Sequence, residues 1–229
     1  MGIKCEKLMK KTKTEINSIL VKEYGINAGA SIVGIAASKD FILAPEGYKP
    51  SDRLNGCCSV VVLGAPFPHE ALSKNTVEYT EIRNGMVKKM DAIAKNVAKQ
   101  ISGNGYKVKA ITSVGSKGYN GAISLKHAAE LAGLGVINRN YLLTNPEYGN
   151  LLFFSAVLTD ADLILDKKAK YTICDNCNKC VKVCPAKALD NPDLFSKEKC
   201  AKACISFSGK LEFKCFLCRK ICPYRFGKY

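Results

Sequence analysis

The sequence predicts an α+β protein in two parts, a layered α/β domain over residues 1–165 and a small cysteine-rich domain over residues 166–229. Three observations predict it. Helical and strand periodicities interleave along the first part, as a layered domain requires. Nine of the twelve cysteines fall in the last 56 residues. Charge divides at the same place, because residues 166–229 hold 15 Lys and Arg against 6 Asp and Glu, a net +9 of the chain's +15. With 229 residues and 47% hydrophobic content, the first part has enough apolar side chains to bury a core.

In chain order, Leu8, Ile16, Ile19 and Leu20 recur at near-helical spacing before Gly25 and predict an opening amphipathic helix. Residues 31–37 and 58–63 are short apolar runs ended by turn formers, the second by Gly64-Ala65-Pro66-Phe67-Pro68, and read as buried strands. Ile82, Met86, Met90, Ile93, Val97 and Ile101 then repeat every three or four positions until Gly103-Asn104-Gly105 stops them, the signature of a long helix. Residues 106–112 read as a strand. Ser124 is placed to cap a short helix through Leu131, which Gly133-Leu134-Gly135 ends. Residues 151–158 form another apolar strand, and the charged stretch 166–170 reads as the linker.

No stretch approaches the roughly 20 apolar residues of a membrane helix, and Met1 to Glu6 is too polar for a signal peptide, so the expected address is cytoplasmic, with no membrane partner. In that compartment the cysteines predict metal rather than disulfides. Cys174-x2-Cys177-x2-Cys180-x3-Cys184-Pro185 matches the bacterial ferredoxin run at every position. Three closely spaced thiolates wrap one cubane while the fourth leads to a second. The second half, Cys204-x10-Cys215-x2-Cys218-x3-Cys222-Pro223, keeps the last three spacings and stretches the first.

Two [4Fe-4S] clusters follow, one held by Cys174, Cys177, Cys180 and Cys222, the other by Cys204, Cys215, Cys218 and Cys184. Cys200 competes with Cys204. Cys204 is preferred because it lies nearer the loop, and spacing alone leaves both open. Zinc favours paired Cys-x2-Cys hooks over a four-cysteine run ending in Cys-Pro. Each cluster contributes roughly −2, which would lower the tail to about +5 and leave a basic face suited to an acidic electron donor or to nucleic acid. Cys57 and Cys58 open the second strand and Cys5 lies in the first helix, and all three read as incidental thiols. His69 and His127, the only histidines, read as structural or surface residues. No Gly-x-Gly-x-x-Gly or Walker pattern offers a nucleotide site.

Within residues 126–140, the stretch Ala132-Gly133-Leu134-Gly135-Val136-Ile137-Asn138-Arg139-Asn140 resembles the Ala-Gly-Leu-Gly-Trp-Ile-Gly-Lys-Asn of epoxyqueuosine reductases. The order of elements through the two cysteine motifs is also similar, and Cys204-Ile205-Ser206-Phe207 resembles that family's Cys-Ile-Ser-Tyr, which independently favours Cys204. The resemblance implies a nitroreductase-like α/β domain, related to that of reductive dehalogenases, followed by a two-[4Fe-4S] ferredoxin-like domain. It further implies base-off cobalamin as a second cofactor, electrons passing through the clusters to cobalt, and a modified tRNA base as the family's substrate.

Departures from the family's pattern shape the expectation. Its catalytic aspartate falls at Tyr119, the glutamate six residues later falls at Leu125, and Gly-Lys becomes Asn138-Arg139. By analogy with the tyrosine of reductive dehalogenases, Tyr119 with Arg139 as electrostatic partner becomes the candidate acid. The leading expectation is a corrinoid-dependent reductase acting on a small molecule or nucleoside and fed by an acidic ferredoxin or flavodoxin. The alternative is an electron-transfer protein serving a partner without catalysis of its own. A third reading takes Phe207, Phe213, Phe216, Tyr224 and Phe226 among the tail's basic residues as a tRNA-stacking surface, against their use as shields around a cubane.

Overall fold

The computed structural model describes residues 13–112, 121–174, 177–191, 194–207 and 211–227. Its frame is a four-stranded antiparallel sheet, order β1-β2-β6-β3, built from β1 (Ile32–Ala37), β2 (Ser59–Pro66), β3 (Val108–Ile111) and β6 (Leu152–Thr159). Two small pairs flank it: β4 (Val136–Ile137) with β5 (Leu143–Thr144), and β7 (Ile205–Phe207) with β8 (Leu211–Phe213). The helices are α1 (Ser18–Asn27), α2 (Pro50–Arg53), α3 (Thr76–Gly103), α4 (Leu125–Leu131), α5 (Lys179–Val183), α6 (Lys197–Cys204) and α7 (Leu217–Lys220). This is a mixed α/β fold. Among the described residues, no helix is long and apolar enough to cross a membrane.

The sheet is covered on both faces, which explains why β2 is apolar without alternation. Val61, Leu63 and Ala65 join Val21, Met90, Ile93, Val97 and Ile101 in one core under α1 and α3. Val60 and Val62 belong to a second core with Ala128, Ala129 and Ala132 of the α4 segment and with Phe154, Ala156 and Leu158 of β6. Register fixes the division, since Val61 pairs with both Ile35 and Val157 while Val60 pairs with Ala36 and Leu158.

Several elements differ from the expected ones for local reasons. The opening helix runs through Gly25 rather than ending there. A Cβ at Gly25 would lie 2.6 Å from Val33 Cγ2 and 2.8 Å from Leu63 Cδ2, so the glycine lets the helix lie close on the sheet. Ile19 faces outward at 71% exposure, and only Val21, Ser18 and Gly25 of this helix are buried. The long helix α3 begins six residues before Ile82, where Asn75 Oδ1 accepts from the Glu78 N–H at 3.0 Å and the Glu78 carboxylate accepts from the Asn75 N–H. Strand β2 starts at Ser59, so Cys57 and Cys58 precede it and Cys58 is exposed. Ser124 stands at the N-cap of α4, but its hydroxyl pairs with His127 Nδ1 at 2.6 Å instead of capping the backbone.

The stretch expected as a linker is tied to the sheet. β1 is an edge strand, and Ile35 would otherwise leave its outer N–H and carbonyl unpaired. Asp166 satisfies both: its N–H donates to the Ile35 carbonyl at 2.9 Å and its carboxylate accepts from the Ile35 N–H at 2.8 Å, while Lys22 Nζ donates to the same carboxylate at 2.6 Å. The Asp166→Ala variant is expected to lose about 1–3 kcal/mol of stability, read as a lower denaturation midpoint. An unchanged midpoint would mean that these edge contacts contribute nothing net.

The cysteine-rich segment docks on the first turns of α3. The Phe213 N–H donates to Thr80 Oγ1 at 2.9 Å and Thr76 Oγ1 donates to the Glu212 carboxylate at 2.7 Å. Phe216 stacks on Tyr79 with centroids 3.9 Å apart, and the Arg83 guanidinium lies 4.1 Å from the Phe213 ring centroid. Phe226 packs on His69 at 4.8 Å. These aromatics join the two parts of the chain.

Candidate functional site

The structure gathers the C-terminal cysteines into two groups. Cys174, Cys177, Cys180 and Cys222 line one small cavity, together with Arg139, Asn140, Pro223 and Tyr224. The chain reaches it through Asn178, in left-handed backbone at φ 46°, from which α5 starts and carries Cys180 inward. Burial first, and then the neighbouring Cys174 sulfur, push the Cys180 thiol up. Burial likewise pushes Cys222 up, opposed by its contacts with Tyr224 and the Asn150 side chain.

The second group forms where α6, the strand pair β7–β8 and α7 meet. Cys200 and Cys204 share a thiol hydrogen bond, Cys215 lies beside both, and Cys184 is an electrostatic neighbour of Cys200. Burial, followed by Cys200 and Cys215, pushes Cys204 strongly up. Cys218 is pushed up to about 11, chiefly by burial and against the pull of Arg219. Both Cys200 and Cys204, the two rivals of the sequence reading, are therefore brought to this group.

Such crowding fits the donor set of iron-sulfur clusters. Buried thiols this close resist ionising together unless cations compensate them. Among the described residues, no three His, Cys, Asp or Glu side chains converge on a point suited to a single metal ion. A cubane has a different requirement, because each thiolate binds its own iron corner and the sulfurs ring the cluster.

Arg139 stands beside the first group, where its guanidinium donates to the Asn191 carbonyl at 2.7 Å and the Asp190 carbonyl at 3.2 Å. Tyr119 lies outside the described residues. Asn138 and Asn140 build the turn between β4 and β5. Asn138 Nδ2 donates to Thr144 Oγ1 at 2.6 Å, and Asn140 Oδ1 accepts from the Leu142 N–H at 3.1 Å. The turn holds Tyr141 at φ 54°, and its carbonyl accepts from Lys126 Nζ.

A second cavity, of about 160 Å³, lies between α4, β5, β6 and α7. Leu125, Leu143, Phe153 and Phe154 give it apolar walls, and Lys126, Asn150 and Arg219 give it polar ones. Burial, then Arg219 and Lys197, push Lys126 down to about 8. Arg219 Nη1 donates to the Asn150 carbonyl at 2.7 Å. Asn150 is buried, and among the described residues its Oδ1 has no hydrogen-bond partner. It joins this cavity to Cys222. Sequence reasoning missed Lys126, Asn150 and Arg219, since none belongs to a spaced motif. The one available signal was Arg219's position inside the second cysteine run.

No protein-family model matches the chain. The epoxyqueuosine reductase of Lactococcus garvieae (strain Lg2) is 25% identical over 207 residues, covering 80% of this chain and 56% of its own length. That of Cyclobacterium marinum is 34% identical over 110 residues, covering 42% of this chain and 36% of its own. The chain is therefore similar to epoxyqueuosine reductases over part of their length. The chain spans between a third and just over half of the length of those two relatives.

Solved structures agree on the fold. An epoxyqueuosine reductase bound to an epoxyqueuosine-modified tRNA-Tyr stem loop matches 92% of this chain and 65% of its own, with a TM-score of 0.65 at 20% identity. A reductive dehalogenase whose structure suggests a mechanism for B12-dependent dehalogenation matches 93% of this chain and 34% of its own, with a TM-score of 0.72 at 20% identity.

Proposed function

We propose that the chain is a corrinoid-dependent reductase in which two [4Fe-4S] clusters pass electrons towards a cobalamin. The observation that carries this reading is the convergence of Cys222 with Cys174, Cys177 and Cys180 around one cavity, the exchange of fourth ligands that a two-cluster ferredoxin uses. Cys184, Cys204, Cys215 and Cys218 hold the second cluster in this reading, within a ferredoxin-like domain that follows a nitroreductase-like one. Cobalamin supplies a strongly reducing metal centre when bound.

Tyr119, with Arg139 as its electrostatic partner, is the candidate proton donor. The net +9 of residues 166–229 suits an acidic ferredoxin or flavodoxin as electron donor. A small molecule or a nucleoside is the substrate class that fits Tyr119 and Leu125 in place of the family's carboxylates. A tRNA substrate follows the relatives' names, though Phe213 and Phe216 are already packed against α3.

Anaerobically purified protein should contain about eight iron and eight sulfide per chain, and titrated cobalamin should bind with its spectrum shifted to the base-off form. A full complement of iron without any corrinoid binding would sink the reductase reading. It would favour instead an electron-transfer protein that serves a partner, a reading the missing carboxylates also suit.

A further inference from the structure

We infer that the cavity between α4, β5, β6 and α7 binds a small organic carboxylate, recognised by Lys126 and Arg219. This rests on reading the chain as a reductase, and it names the class of its substrate.

Size suits a small occupant. An enclosed apolar cavity of about 150 Å³ admits a benzene-sized molecule, and this cleft, which opens to solvent, measures about 160 Å³. A corrin macrocycle or a whole nucleotide is several times larger. The walls made by Leu125, Leu143, Phe153 and Phe154 favour a compact apolar body.

Charge then sets the class. Lys126 and Arg219 line the same cavity, and no Asp or Glu lines it. Each cation is held by neutral groups. Lys126 Nζ donates to the Tyr141 carbonyl. Arg219 Nη1 donates to the Asn150 carbonyl at 2.7 Å, and its guanidinium lies 5.5 and 5.8 Å from the Phe67 and Phe153 ring centroids. Behind Arg219 lies Arg83, itself over the Phe213 ring. Among the described residues, none of these three cations forms a salt bridge.

Like charges gathered in a partly desolvated cleft repel one another unless an anion joins them. Part of this positive charge answers the second cysteine group, because Cys200 and Cys218 both favour the Lys126 ammonium. That role alone gives no reason for the two cations to line a ring-sized apolar cavity. A guanidinium and an ammonium borne by residues that line one cavity, with apolar walls beside them, match a carboxylate carried on a small hydrophobic body.

The test uses benzoate and its uncharged isostere benzamide as probes, with calorimetric titration of the anaerobic, cluster-loaded chain. Benzoate should bind saturably and at least about tenfold more tightly than benzamide, the scale of a charge-assisted contact. Lys126→Met should remove that preference while iron content stays full, and Lys126→Arg should retain it. Equal binding of the two probes, or of neither, would overturn the inference. So would a Lys126→Met chain whose cluster reduction potential moves while its benzoate affinity does not, since the lysine would then serve the cluster alone. Displacement of benzoate by inorganic phosphate at equal concentration would assign the cations to any anion, and would likewise overturn it. Cobalamin titration of the same preparation reads the reductase proposal separately: corrinoid binding without a benzoate preference leaves the reductase and removes only the substrate class.

Discussion

Replacing Cys222 with alanine is expected to lower the iron content of the anaerobically purified chain from about eight atoms to about four. Four thiolates hold each cubane, and the loss of one exposes an iron corner to water and exchange. The fold makes a sharper statement through pairs of variants. Cys222 lies far along the chain from Cys174, Cys177 and Cys180, yet the four line one cavity. With crossed wiring, Cys174→Ala and Cys222→Ala damage the same cluster, so the double variant should still hold about four iron. With each cluster bound by its own local run, the double variant should hold almost none. The rival thiols separate in the same assay. Cys204→Ala should lose about four iron, whereas Cys200→Ala should keep the full complement, because the cluster would need only one of the two sulfurs that share a hydrogen bond. The reverse pattern would move the ligand to Cys200.

The sheet was readable in the sequence because each of its central strands is buried on both faces. Residues 58–63 and 151–158 are continuous apolar runs, and the structure places them as β2 and β6, paired residue by residue. The start of α3 was not readable for the opposite reason. Its first turns face the cysteine-rich segment as well as the core in which Tyr79 is buried, and Thr76, Thr80 and Arg83 make hydrogen bonds and ring contacts there and contribute no apolar period. Residues 166–170 looked like a linker because they are charged, but a charged residue is what an edge strand's unpaired backbone groups can use, and Asp166 serves Ile35 in that way.

The same contrast runs through the candidate site. Cysteine spacing announces itself, since cluster ligands must leave a tight loop at fixed intervals. Cations that line a cavity carry no such constraint. Lys126 and Arg219 meet only after α4 has packed on the sheet and α7 has been carried back towards Asn150, so nothing in their local sequence marks them as a pair. Leu125 illustrates the point from the other side. The sequence sets it against a glutamate of the similar family, and its side chain stands in the wall of the cavity next to a lysine.

Gly149→Ala should both destabilise the chain and strip part of its iron, although Gly149 belongs to neither cysteine motif. Gly149 closes a turn in which Asn145 and Gly149 exchange backbone hydrogen bonds at 2.8 and 2.9 Å, and Asn145 Oδ1 accepts from the Glu147 N–H at 2.8 Å. At φ +57° the glycine occupies left-handed backbone, which costs a side-chain-bearing residue about 1–2 kcal/mol. The larger obstacle is steric. A Cβ there would lie 2.2 Å from the Arg225 carbonyl oxygen and 2.5 Å from the Gly227 nitrogen, and a Cβ on Gly227 would lie 2.4 Å from the Glu147 carbonyl oxygen. These neighbours are backbone, so the 225–227 segment itself must move. That segment is bound to the first cysteine group, because Arg225 Nη1 donates to the Cys222 carbonyl at 3.1 Å. Displacing it pulls Cys222 away from Cys174, Cys177 and Cys180. The expected result is a lower denaturation midpoint together with an iron content falling towards about four. Glu147→Ala, which keeps the turn's backbone and removes only an exposed side chain, should change neither. A Gly149→Ala chain that unfolds more easily but keeps all its iron would show that the turn supports the fold without positioning the cluster ligand.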